Sequence, residues 1–299
     1  MLERRRFPSG VIGYRMGRGR TPFMAAWAYR IGGTLIDTGC PIAVDEFLPV
    51  LEQDGAIQTV YVTHHHEDHS GNAQRIRERF GAKIIVSQFC RPVTQAGFRE
   101  LFYQRHTWGF FQPFVEDRCV VLAPFGSTEW QTSDGKFTII HAPGHSHDMT
   151  VVYWPEVKIL FGADLYLAIR PKMGRRDEVW GAAVASVARV LESCDIEHLL
   201  CAHYPVIETG GEMLAKKLAE MRDMAERISK QLGDQEPTAV EVERLRKNEF
   251  GPENRRIQLF SLGDFSSRNI IRSVLGLSCP RKDLVKRVGR DWADCRFEA

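Results

Sequence analysis

The sequence predicts an α/β fold on two observations. Short β-branched runs alternate with amphipathic stretches, and the residues best suited to chemistry stand directly after those runs. With 299 residues, 43% hydrophobic and 26% charged, the chain can bury a substantial core in one large domain with an appendage. A net charge of +2 gives no general pull toward nucleic acid or an anionic membrane. No apolar run approaches the ~18 residues of a membrane span. The basic start, Met1 to Pro8, lacks the apolar core of a signal peptide. Seven cysteines form no Cys-x-x-Cys pair; an odd count without a secretion signal predicts reduced thiols and a cytoplasmic protein.

Taken in order, Val11 to Met16, Met24 to Ile31 and Thr34 to Asp37 read as short strands, with Gly32-Gly33 as a turn. Asp37-Thr38-Gly39 reads as a tight turn. Pro41 to Glu52 reads as a helix, because Val44, Phe47, Leu48 and Leu51 fall at helical spacing. Ile57 to Val62 is a strand, Gly71 to Phe80 a helix, and Lys83 to Val86 another buried strand. The stretch 88–130 breaks this rhythm with Phe98, Phe102, Tyr103, Trp108, Phe110, Phe111 and Phe114. Two readings stay open for it. Its aromatics fill the core as a helical hairpin, or Trp108, Phe110 and Phe111 wall the site as a lid and accept an apolar substrate portion.

Lys136 to His141 and Met149 to Trp154 frame a loop holding His145, His147 and Asp148. His147 reads as a solvent-exposed loop residue, or else as a proton shuttle or substrate contact. Val157 to Leu160 and Ile196 to Leu200 are further strands. Between them, Asp177 to Ser193 is a helix whose stripe holds Trp180, Val184, Val187 and Leu191. Tyr166 reads as a packed aromatic or as a hydroxyl near a substrate oxygen. Arg170 and Lys172 read as exposed cations or as an anion contact.

After Gly210-Gly211 the character changes. Glu212 to Leu232 is a long amphipathic helix ending at Gly233, and Ala239 to Lys247 follows a cap-like Pro237-Thr238. Ser266 to Leu275 is a third helix. This tail could cover the site, mediate a homodimer or form a small module. From residue 244 on, Lys and Arg outnumber Asp and Glu, which suits a solvated surface or a polyanionic partner.

The chemistry concentrates in Thr63-His64-His65-His66-Glu67-Asp68-His69, after the Ile57 to Val62 strand. Residues two apart on an extended segment point the same way, so His64, His66 and Asp68 converge. His65 should point away. Imidazole with carboxylate suits zinc, and also iron or manganese. Four ligand-type residues in six positions exceed what one tetrahedral ion with an open position takes from so short a segment. They read as shared between two divalent ions. A solvated polar turn is the bland alternative, which the preceding buried strand argues against.

With this His-x-His-x-Asp-His pattern the sequence resembles the metallo-β-lactamase fold hydrolases. That resemblance implies three further ligands, each after a strand: His145 in Pro143-Gly144-His145, Asp164 in Gly162-Ala163-Asp164, and His203 in Ala202-His203-Tyr204. It also implies that Asp37 stands behind the ligands and orients one of them or the histidine loop. The likeness covers residues 10–210 and implies a four-layer αββα sandwich. The implied division is a catalytic domain over 1–210, with the aromatic insertion 88–130, and a helical extension over 211–299.

By resemblance, His64, His66 and His145 hold one ion; Asp68, His69 and His203 hold the other; Asp164 bridges them. Asp68 and Asp164 are the catalytic carboxylates. The implied function is a binuclear hydrolase, zinc first, that opens an ester, thioester or lactone with a metal-bound hydroxide. The likeness to glyoxalase II-like and lactonase-like members is general. The rivals are a nuclease or phosphodiesterase, a mononuclear-iron persulfide dioxygenase, and a sensor or effector that keeps the site but works through partners. The expected partner is a small molecule with an apolar portion, with no membrane; nucleic acid is disfavoured but stays open, as does a homodimer.

Overall fold

A computed structural model describes residues 1–277 apart from Arg20, Pro22, Phe23 and Ile207. Cys279, Cys295 and the last part of the basic tail lie outside the described residues. The first sheet runs β1 (Leu2–Arg6), β2 (Ile12–Gly17), β3 (Ala25–Ile31), β4 (Thr34–Ile36), β5 (Thr59–Val62), β6 (Lys83–Ser87) and β7 (Arg118–Val120), in that spatial order. β1 to β4 pair antiparallel; β4 to β7 pair parallel. β8 (Ser127–Gln131), β9 (Lys136–His141), β10 (Thr150–Trp154), β11 (Ile159–Ala163) and β13 (His198–Cys201) make the second sheet, while β12 (Gly174–Arg175) pairs with β14 (Phe265–Ser266).

The period of two decides the layers. In β5 and β6, Val60, Val62, Ile84 and Val86 face outward onto helices α1 (Val44–Gln53) and α3 (Ala73–Phe80), meeting Phe47, Leu51 and Ile76. Their alternates Tyr61 and Ile85 face the other sheet, where Phe137, Ile139, Val152, Phe161 and Leu200 close a dry layer. On the far side of the second sheet, Ile140, Val151 and Leu160 meet Val187 and Val190 of α6 (Trp180–Ser193) and Leu214 of α7 (Gly210–Leu232). The result is helix, sheet, sheet, helix, as the resemblance implies.

Further helices follow α7: α8 (Ala239–Phe250), α9 (Arg255–Phe260) and α10 (Ser267–Val274). Met221, Met224 and Ile228 of α7, Leu245 of α8 and Ile270 and Ile271 of α10 share one cluster with Trp180 of α6. Thr238 caps α8 by accepting from the Glu241 amide at 3.3 Å. No helix among the described residues is long and apolar enough to cross a membrane. The described cysteines, Cys40, Cys90, Cys119, Cys194 and Cys201, are free thiols.

Two local differences from the sequence reading bear on the site. The helix expected from Gly71 starts at Ala73 as α3, and a separate short helix, α2 (Glu67–Ser70), precedes it inside the histidine cluster. A Cβ at Gly71 would sit 2.2 Å from the Glu67 carbonyl oxygen and 2.3 Å from Pro41 Cδ, so this joint admits only glycine. The stretch 88–130 holds α4 (Arg91–Ala96) and α5 (Phe102–Trp108), but its end supplies β7 and β8, one to each sheet.

Candidate metal centre

Each candidate ligand stands where a strand ends on one rim of the two sheets. Asp37 follows β4, the histidine cluster follows β5, and His145 lies between β9 and β10. Asp164 follows β11 and His203 follows β13. Ligand sites form at such carboxyl ends because the following loops converge there. Two backbone kinks aim the carboxylates. Asp37 has φ +59° and Ala163 has φ +44°, both in the left-handed region that costs a non-glycine residue energy.

The donors fall into two sets that share Asp164. His64 Nε2 lies 2.9 Å from His66 Nδ1, and His145 Nε2 lies 3.1 Å from the same nitrogen. Asp164 Oδ2 is 2.9 Å from His145 Nε2 and 3.9 Å from His64 Nε2. In the second set, Asp68 Oδ2 stands 3.8 Å from His69 Nε2 and 3.4 Å from His203 Nε2. Asp164 reaches this set too: Oδ2 is 3.5 Å from His69 Nε2, and Oδ1 is 3.4 Å from His203 Nε2. Both sets have ligand atoms close enough to hold an ion. His69 Nε2 and Asp164 Oδ1 are buried with no hydrogen-bond partner. A buried polar atom left so is costly unless a cation or water takes it up, so these residues fit divalent ions.

The far ring nitrogens are held from behind. His69 Nδ1 meets Asp37 Oδ2 at 2.7 Å, and Asp37 also accepts from the Thr63 amide and hydroxyl at 2.8 and 2.9 Å. His203 Nδ1 meets the Ala25 carbonyl at 3.0 Å. His145 Nδ1 meets Glu178 Oε1 at 3.0 Å. Such partners fix the tautomer and ring angle of a ligand histidine.

The electrostatics split the histidines. Burial, with His69 nearby, holds His64 well below its ordinary value; burial and Arg175 do the same to His66. Burial also opposes charge on His145, but Asp164 and Glu178 outweigh it and hold the imidazole up at about 10. Asp37, Asp164 and Asp68 likewise raise His69 against burial, and Asp164 with Asp68 raises His203. Burial would raise Asp164, yet the imidazoles of His145, His203 and His69 hold it well below the carboxylate range. Ligation needs the imidazoles neutral, so metal binding at such a cluster would release protons.

The remaining candidates divide sharply. His65 points away, as expected: its amide and Nδ1 bond Asp148 at 2.8 and 2.9 Å. The reading of His147 as solvent-exposed is corrected. It is 5% exposed, because its loop is tied inward: its carbonyl accepts from His141 Nε2 at 2.9 Å, and the next residue, Asp148, bonds His65. Trp108 is buried with its ring 6.2 Å from that of His203. Phe111 is half-buried against Phe98 and Phe114, whereas Phe110 is exposed beneath the Arg105 guanidinium. Tyr166 is packed in the layer over the second sheet. Arg170 pairs with Glu249 at 2.8 Å and Glu220 at 3.5 Å. The sequence reading missed Glu178, which lies 33 residues beyond His145 and carries no local signal of its own.

The comparisons with known proteins bear on the fold and the family. A hydroxyacylglutathione hydrolase from Maricaulis maris (strain MCS10) is 26% identical over 163 residues, 53% of each chain. The chain thus spans about half the length of that curated relative. An uncharacterized protein from Aquifex aeolicus (strain VF5) is 23% identical over 172 residues, covering 54% of this chain and 74% of the other. Among solved structures, a metallo-beta-lactamase from Pontibacter korlensis superposes with a TM-score of 0.59 at 18% identity, over 75% of this chain and 100% of that one. Residues 23–195 match the model of one family, described as the metallo-beta-lactamase superfamily; with more than half its length inside that match and its donor residues on one rim, the chain belongs to the metallo-beta-lactamase superfamily.

Proposed function

We propose that this protein is a binuclear metal-dependent hydrolase that cleaves a small acyl ester, thioester or lactone. The observation that carries the reading is the placement of Asp164, whose carboxylate lies 2.9 Å from His145 in one donor set and 3.4 Å from His203 in the other. His64, His66 and His145 would hold one ion and Asp68, His69 and His203 the other. Two divalent ions held there would supply Lewis acidity for polarising a carbonyl and activating water near neutral pH. Zinc is the first expectation; iron and manganese suit the same donors.

The chain's own residues do the rest. Asp37, Glu178 and the Ala25 carbonyl fix three imidazoles from behind, so the donor geometry is set before substrate arrives. His145 and His203 are the ligands with edges open to solvent, at 10% and 12% side-chain exposure, so substrate approaches across them. Trp108 packs beside His203, with ring centroids 6.2 Å apart. The name of the Maricaulis maris relative, whose substrate class is a thioester, favours thioesters within this range. The test is elemental analysis of chelator-free protein, combined with turnover on acyl thioesters, aryl esters, lactones and a phosphodiester. Two ions per chain and metal-dependent acyl hydrolysis are expected. Cleavage of the phosphodiester alone, or a single ion at saturating metal, would overturn the proposal.

A further inference from the structure

We propose that the C-terminal helices position a ligand of the metal centre: they grip the backbone of residues 174–178 so that Glu178 orients His145. The inference rests on the metal-site reading above and adds a task for the extension. The chain from Gly174 to Glu178 runs between the tail on one side and the His145 loop on the other.

The tail holds that segment by its backbone. β12 and β14 pair Gly174 with Ser266 and Arg175 with Phe265. Asn269 Nδ2 donates to the Gly174 carbonyl at 3.1 Å. Ser273 on α10 donates its hydroxyl to the Glu178 carbonyl at 2.7 Å and accepts from the Trp180 amide at 2.7 Å. The start of α6 has no capping side chain of its own, since Val179 stands at its N-cap. A hydroxyl 93 residues away therefore satisfies one of its orphan amides. Arg175, buried between Asp177 at 3.3 Å and Asp264 of the tail at 3.9 Å, adds a charged tie.

The other side of the segment docks on the ligand loop. The Val179 amide donates to the Gly144 carbonyl at 2.8 Å, and Ser186 Oγ donates to the Pro143 carbonyl at 2.6 Å. A Cβ at Gly144, where φ is +140°, would come within 2.5 Å of the Ala183 backbone, so loop and helix are in direct backbone contact. Glu178 then meets His145 Nδ1 at 3.0 Å while Nε2 faces His66 and Asp164. A shift of the tail thus becomes a rotation of one ligand ring.

The experiment uses the full chain and reads zinc affinities by competition with a chromophoric chelator, with the visible spectrum of the cobalt-substituted protein as a second signal. Glu178→Gln and Ser273→Ala should each weaken one of the two ions about 10- to 100-fold, the range for partners behind a ligand, and perturb the cobalt bands. Ser273→Thr, which keeps the hydroxyl, should restore both. The ratio of the two affinities is decisive, because a general loss of stability lowers both together. Should Ser273→Ala fail to fold, Asn269→Ala takes its place, and Glu178→Gln, at a partly exposed site, remains. Unchanged affinities in both variants beside a normal two-ion wild type would overturn this inference and leave the binuclear reading standing. Weakening in Glu178→Gln without weakening in the tail variants would overturn the tail's part. A wild type that binds no ion overturns both readings.

Discussion

Asp37 Oδ2 lies 2.7 Å from His69 Nδ1, and the same carboxylate accepts two hydrogen bonds from Thr63, the residue before the histidine cluster. One side chain therefore holds both the His69 ring and the start of the histidine loop. Asp37 does this from the left-handed region, at φ +59°, where Asn costs less than Ala. Asp37→Asn should keep the fold and weaken metal binding by about 10- to 100-fold. Asp37→Ala should also lose stability, of order 1–3 kcal/mol, because it leaves the Thr63 amide buried without an acceptor. Urea unfolding of chelated samples beside chelator competition separates the two. Equal unfolding midpoints for Asn and Ala would count against the backbone argument.

That relationship also shows what the sequence made legible. Asp37 was readable as a turn residue, and only its resemblance to a family element suggested a partner, because the partner lies 32 positions away. The donors after β5, β11 and β13 were readable because each follows an apolar strand, and strand ends on one rim bring distant residues together. β1 was not, since Leu2–Arg6 is four exposed residues after a half-buried one, with no apolar alternation to betray an edge strand. His147 misled for the opposite reason. Its polar loop looks solvated, but it is buried beside the tie between Asp148 and His65, a contact 83 residues long. Glu178 is set by tertiary packing of the tail, and no local pattern encodes that.

The aromatic stretch separates into a core residue and a surface residue. Trp108 is 8% exposed and packs with the layer beneath α1, while Phe110 is 66% exposed. Trp108→Ala should cost about 3–5 kcal/mol of stability by opening a cavity. Phe110→Ala should change stability by less than about 1 kcal/mol, the worth of its contact with Arg105 at an exposed site. If Phe110 also holds an apolar acyl group, its loss should raise KM for long acyl chains with little change in kcat. Chemical denaturation of both variants gives the first comparison. A Phe110→Ala loss matching that of Trp108→Ala would contradict the assigned environments.

Stability should depend on acid through the tail as well as through the metal centre. Glu243 on α8 accepts from Arg246 at 2.8 and 3.1 Å and from Arg268 of α10 at 2.8 Å. Chiefly through the Arg246 hydrogen bonds, its carboxyl is held down to about 2. A depressed carboxyl contributes stability above its unfolded value near 4.5, and that contribution fades as pH falls from there toward 2. Because the pair is partly exposed, the contribution is at most about 1 kcal/mol. Glu243→Gln should lower the melting temperature of chelated protein at pH 7, with the gap narrowing as pH falls from 4.5 toward about 2. A gap independent of pH would assign the effect to shape instead of charge.

The sharpest test of the centre is Asp164→Asn. Asp164 Oδ2 faces His145 and His69 at 2.9 and 3.5 Å, and Oδ1 faces His203 at 3.4 Å, so its charge is shared between both donor sets. The turn that carries it is fixed without its side chain: the Leu165 amide bonds the Gly162 carbonyl at 2.8 Å, and buried Lys217 of α7 donates to the Leu165 carbonyl at 2.6 Å. Asparagine therefore keeps the turn and the volume. It removes the anion that offsets the repulsion between two dications, and it turns a donor amide toward one of them. One ion should then bind far more weakly, while His64, His66 and His145 still hold the other. Turnover should fall by more than the ~100-fold upper range for residues behind the ligands. Metal content, unfolding and turnover are to be measured on one preparation. Two ions retained with near-normal turnover would remove Asp164 from the bridge and, with it, the basis for a binuclear mechanism.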